Sequence, residues 1–441
     1  MRILMFGWEF PPHISGGLGT ACYGLTKGLS QIGNNEIIFV VPRSWGDEPA
    51  QNAELIGANK VPVAHEWIGP SDASLYAEMI GVRSDIIPYT SPEQFWKLKN
   101  KHYDNNPHFV EVTNNGTIDF SGTYGPSLYR EIRNYALVAE DIAVEKKFDV
   151  IHAHDWMTFP AGIAAKKVSG KPLVVHVHAT DFDRTGGDAG TLVYSIERHG
   201  MESADKVITV SNFTRKTVIE KYDIPPEKVT TVYNAVEPLP ERKNSMIKKI
   251  PGVKTVAFLG RITIQKGPEY FVEAANMVLK RLPCTRFVMA GSGDMMNSII
   301  EHAARLGITD RFHFAGFLNS DGVHQLLGVI DVFVMPSVSE PFGIVPLEAM
   351  LAGVPVIISK QSGVAEIVNY AFKADFWDTF AVADAIYGLL KYPALAKMFS
   401  KHGAIEAGNL QWKKSAGLIS NIYFGLVGHS EPIPEAVNKI L

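Results

Sequence analysis

Apolar residues in this chain gather into short unbroken runs, separated by longer stretches whose apolar positions recur every three or four residues. Arg2–Phe6 and Glu36–Val41 are two such runs, and the span from about 18 to 32 between them has helical spacing. The runs at 149–153, 173–178 and 206–210 continue the series. Runs of this length predict parallel strands buried on both faces, with the intervening helices as their cover. The pattern then restarts. Residues 255–259, 286–290, 312–315, 331–335 and 354–358 predict a second set of strands, with helices such as Pro268–Arg281 in the gaps. Two doubly wound α/β domains follow, over 1–235 and 236–415. The polar, proline-rich stretch 236–244 predicts their linker. Open α/β sheets take ligands at the carboxyl ends of their strands, so two such domains predict a cleft between those ends.

Two segments depart from the rhythm. Residues 43–126 are polar and aromatic, with Trp45, Trp67, Trp96 and Tyr103 among them. Large rings usually bury, so this insert predicts a satellite subdomain, with a sugar-stacking acceptor surface as the functional alternative. Near the other end, 411–426 has helical spacing with Leu418, Ile422 and Leu426 on one face, and 416–441 reads as a terminal helix and tail.

Composition narrows the class. A chain of 441 residues suits two domains, and 46% apolar with 20% charged residues describes a soluble globular protein with sizeable cores. A formal net charge of −4 gives no support to a general nucleic-acid binder. Cys22 and Cys284 fall in separate halves, which points to a reducing compartment and against a disulfide framework. No uncharged apolar run reaches the roughly 18 residues that span a bilayer, and the chain opens directly on a strand-like run. A cytoplasmic protein is expected, with no membrane partner.

The chemistry concentrates in Ser339-Glu340-Pro341-Phe342-Gly343-Ile344-Val345-Pro346-Leu347-Glu348, between two strand-like runs. Two carboxylates eight residues apart frame a glycine turn and a helix start. Pro346 suits the first helical turn, where its missing N–H is no loss. Glu340 then lies in the loop and Glu348 a turn inside the helix, beside free backbone N–H groups. Further motifs are Gly260-Arg261-Ile262 with Gln265-Lys266-Gly267, Ile14-Ser15-Gly16-Gly17-Leu18-Gly19, and His152-Ala153-His154-Asp155-Trp156. Together they resemble the retaining nucleotide-sugar glycosyltransferases of GT-B fold, and within them the glycogen and starch synthases. The resemblance runs from Met1 to about Ile422. It implies two Rossmann-like domains facing across a cleft, a terminal helix returning to the first domain, and a nucleotide-sugar donor.

Residue by residue, the resemblance gives Arg261 and Lys266 the donor diphosphate, Glu340 the transferred sugar, Glu348 the ribose hydroxyls, and His154 a contact near the reacting carbon. Gly16, Gly17, Asn234, Gly291, Phe342, Gly343 and Ile344 would complete the donor site. The residue types fit these tasks. A guanidinium offers a fork of donors, an ammonium a point charge, and a carboxylate accepts two hydroxyl hydrogen bonds. For Gly291, in Gly291-Ser292-Gly293, an ordinary turn fits equally well. The bacterial glycogen synthase pattern Lys-Thr-Gly-Gly-Leu is broken here, because Ile14 stands at the lysine position.

Other chemistries fit less well. A glycosidase pair is disfavoured by the helix-start setting of the two glutamates. His176, His178 and Asp181 match no closed zinc spacing, and no other segment offers matching ligands, so no metal and no cofactor is expected. Neither a P-loop nor a dinucleotide fingerprint is present. The expected activity is a glycogen synthase, transferring glucose from ADP-glucose or UDP-glucose to a glycogen or malto-oligosaccharide acceptor. Retention without a protein nucleophile implies a front-face reaction, in which the leaving diphosphate takes the acceptor's proton. The alternatives are another retaining hexosyltransferase, of sucrose, trehalose or cell-surface glycan type, and a non-catalytic glucan-binding protein.

Overall fold

The computed structural model describes residues 1–14, 16–33, 35–49, 52–63, 112–113, 115–187, 191–238 and 249–428. Two compact units emerge. The first joins Met1–Asn234 to the segment that begins at Trp412, and the second is Ala235–Gln411.

The first unit is built on strands β1 (Arg2–Phe6), β2 (Glu36–Val41), β3 (Glu54–Gly57), β4 (Val150–His154), β5 (Leu173–Val177), β6 (Lys206–Thr209) and β7 (Val229–Thr231). They form one parallel sheet in the order β3-β2-β1-β4-β5-β6-β7. The central strands are buried along nearly their whole length, which explains their unbroken apolar runs. Winding reverses between β1 and β4, the place where an open α/β sheet leaves a crevice at its strand ends.

The second unit repeats the plan with β8 (Thr255–Leu259), β9 (Arg286–Ala290), β10 (Phe312–Gly316), β11 (Val332–Met335), β12 (Val356–Ser359) and β13 (Phe372–Ala374). Its parallel sheet runs β10-β9-β8-β11-β12-β13. The reversal here lies between β8 and β11, and the loops that leave those two strands carry Arg261–Lys266 and Glu340.

The terminal helix Trp412–Val427 packs on the helix Gly17–Ser30. Its buried face is Trp412, Ala416, Ile419, Ser420 and Tyr423, whereas on the Leu418, Ile422 and Leu426 face Leu418 is exposed and the other two are half-buried. The cause is a notch on the partner helix. A Cβ on Gly24 would lie 2.3 Å from the Trp412 ring, and one on Gly28 would lie 2.7 Å from the Trp412 carbonyl oxygen. Close approach of backbones therefore selects the face, ahead of hydrophobicity. Ser415 Oγ also donates to the Tyr233 carbonyl at 2.7 Å, fixing the helix to the end of the first unit's continuous stretch.

Of the aromatic insert, Trp67, Trp96 and Tyr103 lie outside the described residues. Trp45 is half exposed, with the Arg43 guanidinium 4.3 Å from its ring centre and the His13 ring at 5.0 Å, so the expectation of burial fails for it. Most of the expected linker, from residue 239 onward, is also outside the described residues. Among the described residues no helix is long and apolar enough to cross a membrane.

Candidate active site

In the second unit, β8 ends in Gly260-Arg261-Ile262, and a short 3-10 turn, Ile264–Lys266, leads to the helix Pro268–Arg281. Gly267 makes the turn at φ 61°, where a Cβ would come within 2.2 Å of the Pro336 carbonyl oxygen. The β8 loop is thereby pressed onto the β11 loop. Gln265 ties them further: its carbonyl accepts from the Val338 amide at 2.9 Å, and its Oε1 accepts from Arg261 Nη2 at 3.1 Å. Gln265 stands within the sequence motif, but this bridging task depends on the β8 and β11 loops meeting and is not visible in the motif itself.

Lys266 Nζ forms an ion pair with Glu340 Oε2, although 74 residues separate them. Both side chains are largely buried, and Ser337 Oγ donates to the same carboxylate oxygen at 3.3 Å. The backbone of Glu340 is also fixed, donating to the Gln361 carbonyl and accepting from the Gly363 amide, each at 2.9 Å. The two residues expected to serve different parts of a donor are thus one unit. Phe342 is buried and accepts from the Val364 amide at 2.8 Å, and Gly343, at φ 100°, caps the helix Ile344–Leu351. The first amides of that helix, at Ile344 and Val345, have no intrahelical acceptor.

Glu348 sits in this helix as expected. Its carboxylate has no hydrogen-bond partner among the described residues, and burial pushes its pKa up to about 7. Gly291, at φ 138°, approaches so closely that a Cβ would be 1.8 Å from the Gly260 carbonyl oxygen. Ile262 N donates to the Ser292 carbonyl at 2.9 Å, so this glycine segment holds the Arg261 loop in place.

In the first unit, Gly16 is extended and precedes the helix that Gly17 begins, and a Cβ on either would meet nothing within 4 Å. Asn234 is buried at the unit's edge. His154 closes β4 and is fully buried, a correction to the accessible strand-end position expected of it. Its Nδ1 lies 3.1 Å from His178 Nε2. The next residue, Asp155, takes a left-handed backbone at φ 65°, which is uncommon for a residue with a side chain. Arg184 bridges Asp155 at 2.9 Å and Glu197 at 2.7 Å, and Tyr222 donates to Glu197. Burial raises the Glu197 carboxyl to about 7, against the opposing pull of Arg184. This buried network was not legible in the sequence, since its members are spread from 155 to 222.

The expectation that no other segment offers ligands to match His176 also fails. His152, His154 and His176 each present a ligand atom within 4.8 Å of the others, and Cys22, His154 and His178 form an overlapping group. Asp181 is not part of either; its carboxylate accepts from Thr191 Oγ1 at 2.6 Å. Burial lowers all four imidazole pKa values, those of His152 and His178 to about 3, so the rings are neutral.

An uncharacterized glycosyltransferase of Methanocaldococcus jannaschii is 30% identical over 385 residues, 84% of this chain and 83% of that one. The chain belongs to the group 1 glycosyltransferases. The family model described as glycosyl transferases group 1 matches residues 241–405 of this glycosyltransferase, and that of glycosyltransferase family 4 matches 81–238. A glycogen synthase of Mycobacterium tuberculosis is 25% identical over 98% of the glycosyltransferase and 97% of its own chain. Among solved structures, sucrose-phosphate synthase from Thermosynechococcus elongatus superposes with a TM-score of 0.68 at 17% identity, covering 97% of this chain and all of its own. The fold is GT-B.

Proposed function

We propose that this glycosyltransferase is a glycogen synthase, a retaining enzyme that moves glucose from a nucleotide-glucose to the non-reducing end of an α-1,4-glucan in the cytoplasm. The observation that carries the reading is the cluster at the β8/β11 reversal. There Lys266 is paired with Glu340, Arg261 is joined through Gln265, and the carboxylate of Glu348 stands unpartnered one turn into a helix. The likeness to a glycogen synthase over nearly the whole of both chains supports it.

Arg261, Lys266 and the amides at Gly343 and Ile344 stabilise the charge that grows on the leaving diphosphate. Glu340, held by Lys266 and Ser337, accepts hydrogen bonds from the hexose hydroxyls and fixes the ring for reaction. Glu348 accepts from the ribose diol, and binding relieves its lack of a partner. Phe342 contributes through its backbone. The open amides of Gly16 and Gly17 are further anion ligands, and Asn234 is a further donor-binding residue. Gly291 acts by holding the Arg261 loop. Fully buried, His154 enters as a positioning residue. Glu340 is committed to Lys266 and Ser337, which favours a front-face route over a glutamate nucleophile. The leaving diphosphate oxygen then takes the proton of the attacking acceptor hydroxyl.

A second reading, a hexosyltransferase with a small or lipid-linked acceptor, is favoured by Ile14. Its methyl would lie 2.4 Å from a Cβ on Gly19, so an apolar contact occupies the position of the synthases' lysine. A screen of ADP-glucose and UDP-glucose against glycogen, small sugars and lipid-linked acceptors separates the two. Nucleotide release that depends on glycogen is expected. Release only with small or lipid-linked acceptors transfers the case to the second reading, and no release with any pair sinks both.

A further inference from the structure

Side chains alternate across a strand, so His152 and His154 of β4 share one face, as do His176 and His178 on and just beyond β5. Register sets His154 directly beside His176. The result is a layer of four imidazoles. Ring centres of His152 and His154 are 4.1 Å apart, those of His176 and His178 4.3 Å, and those of His152 and His176 5.4 Å. His152, His154 and His176 are buried.

Buried polar atoms are almost always satisfied, and a cluster that is not calls for an explanation. Here four ring nitrogens, Nε2 of His152, Nε2 of His154 and both of His176, have no hydrogen-bond partner. The remaining nitrogens are fixed. Nδ1 of His152 meets the Tyr423 hydroxyl from the terminal helix, and Nδ1 of His154 meets His178. A partner on one nitrogen that leaves the other bare is the arrangement by which proteins orient a metal-binding histidine.

We propose that His152, His154 and His176 bind one borderline transition-metal cation, Zn²⁺ by class, with one ring nitrogen from each. Their ligand atoms already lie within 4.8 Å of one another. Nitrogens bound at about 2.1 Å to a tetrahedral ion stand roughly 3.4 Å apart, a change that ring rotation supplies. An all-imidazole set suits Zn²⁺, Co²⁺ or Cu²⁺ and offers no oxygen for Mg²⁺ or Ca²⁺. The rings are neutral, the form that ligates. Bound there, the ion joins β4 and β5, and through Tyr423 the terminal helix, into one support under His154. The proposal stands apart from the donor assignment and does not need the glycosyltransferase to be a glycogen synthase.

The test uses the full chain, grown with added Zn²⁺ and purified without chelator. A His13→Ala background removes the exposed His13, Asp47 and Glu48 group, which could take up surface zinc. Elemental analysis should find close to one zinc per chain. The content should fall about tenfold in His176→Gln and stay unchanged in His313→Gln, an exposed control. Crystals at the zinc edge should give an anomalous peak between the three rings. Less than about a tenth of an equivalent in the His13→Ala chain, equal content in His176→Gln, or ordered water without anomalous signal between the rings overturns the proposal. Should His176→Gln fail to fold, the anomalous map of the parent chain decides alone.

Discussion

A carboxylate partly withdrawn from water and given no partner weakens the fold that holds it once it ionises, and the half-buried Glu348 is in that position among the described residues. Its pKa of about 7 lies above the ordinary 4.5, so the folded chain binds more protons than the unfolded one between those values. The stability it contributes is present in acid and lost as pH rises through about 7, by at most about 3 kcal/mol. Glu348→Gln should therefore melt higher than wild type at pH 8 and match it near pH 4.5, as read by thermal unfolding across pH. The same variant should raise the donor KM, by the roughly 1.5–3 kcal/mol of a charged hydrogen bond, and weaken free nucleoside diphosphate. A lower melting point at pH 8 would mean the ionised group has a partner after all. Lys266 poses the opposite case. Lys266→Ala leaves Glu340 buried and unpaired, at a cost of about 3 kcal/mol, and should lower kcat on the order of 10²-fold or more. Adding Glu340→Gln should restore stability but not turnover. If the double variant melts no higher than Lys266→Ala alone, the ion pair is not coupled as drawn. The residue types and their motifs were readable in the sequence; the pairing across 74 positions was not, because only the β8/β11 adjacency creates it.

Elements carry their own lesson in the packing of the terminal helix. Gly28→Ala sets a methyl group 2.7 Å from a backbone oxygen of Trp412 and Gly24→Ala sets one 2.3 Å from its ring, so neither clash is relieved by a side-chain turn at the protein surface. Overpacking of this kind costs about 1–3 kcal/mol, more than the roughly 1 kcal/mol that alanine gains over glycine in a helix. The double variant should melt lower. Gly425→Ala, in the terminal helix with nothing within 4 Å, should melt slightly higher, and equal shifts in the two would remove the notch from the account. The same contrast explains what sequence reveals at this scale. Central strands such as β1, β2, β8 and β9 are buried on both faces and read to the residue. β3, β7 and β13 were missed; all are short edge strands with a half-solvated, weak apolar signal. Leu418, Ile422 and Leu426 do share a helical face, but period alone did not say which face is buried, because a glycine notch selects it by shape.

At the scale of the whole molecule, the proposed function has side chains meet the charge on the donor, so transfer should persist in EDTA without added Mg²⁺ or Mn²⁺. Activity that vanishes under EDTA and returns with Mg²⁺ would show that Arg261 and Lys266 do not suffice. An ion on the buried imidazoles is a separate matter, since that ligand set does not select Mg²⁺. The return of the chain to its first unit at Trp412 has one more consequence, and it concerns time. On the ribosome the second unit, Ala235–Gln411, is synthesised entirely before the helix that fills the Gly24 and Gly28 notch. At about 5–20 residues per second the first unit waits roughly 10–35 s for its last piece. For that interval Gly24 and Gly28 lie bare and His152 waits without its Tyr423 hydroxyl partner on a nascent protein, so the half of the molecule that is made first must be the half that finishes last.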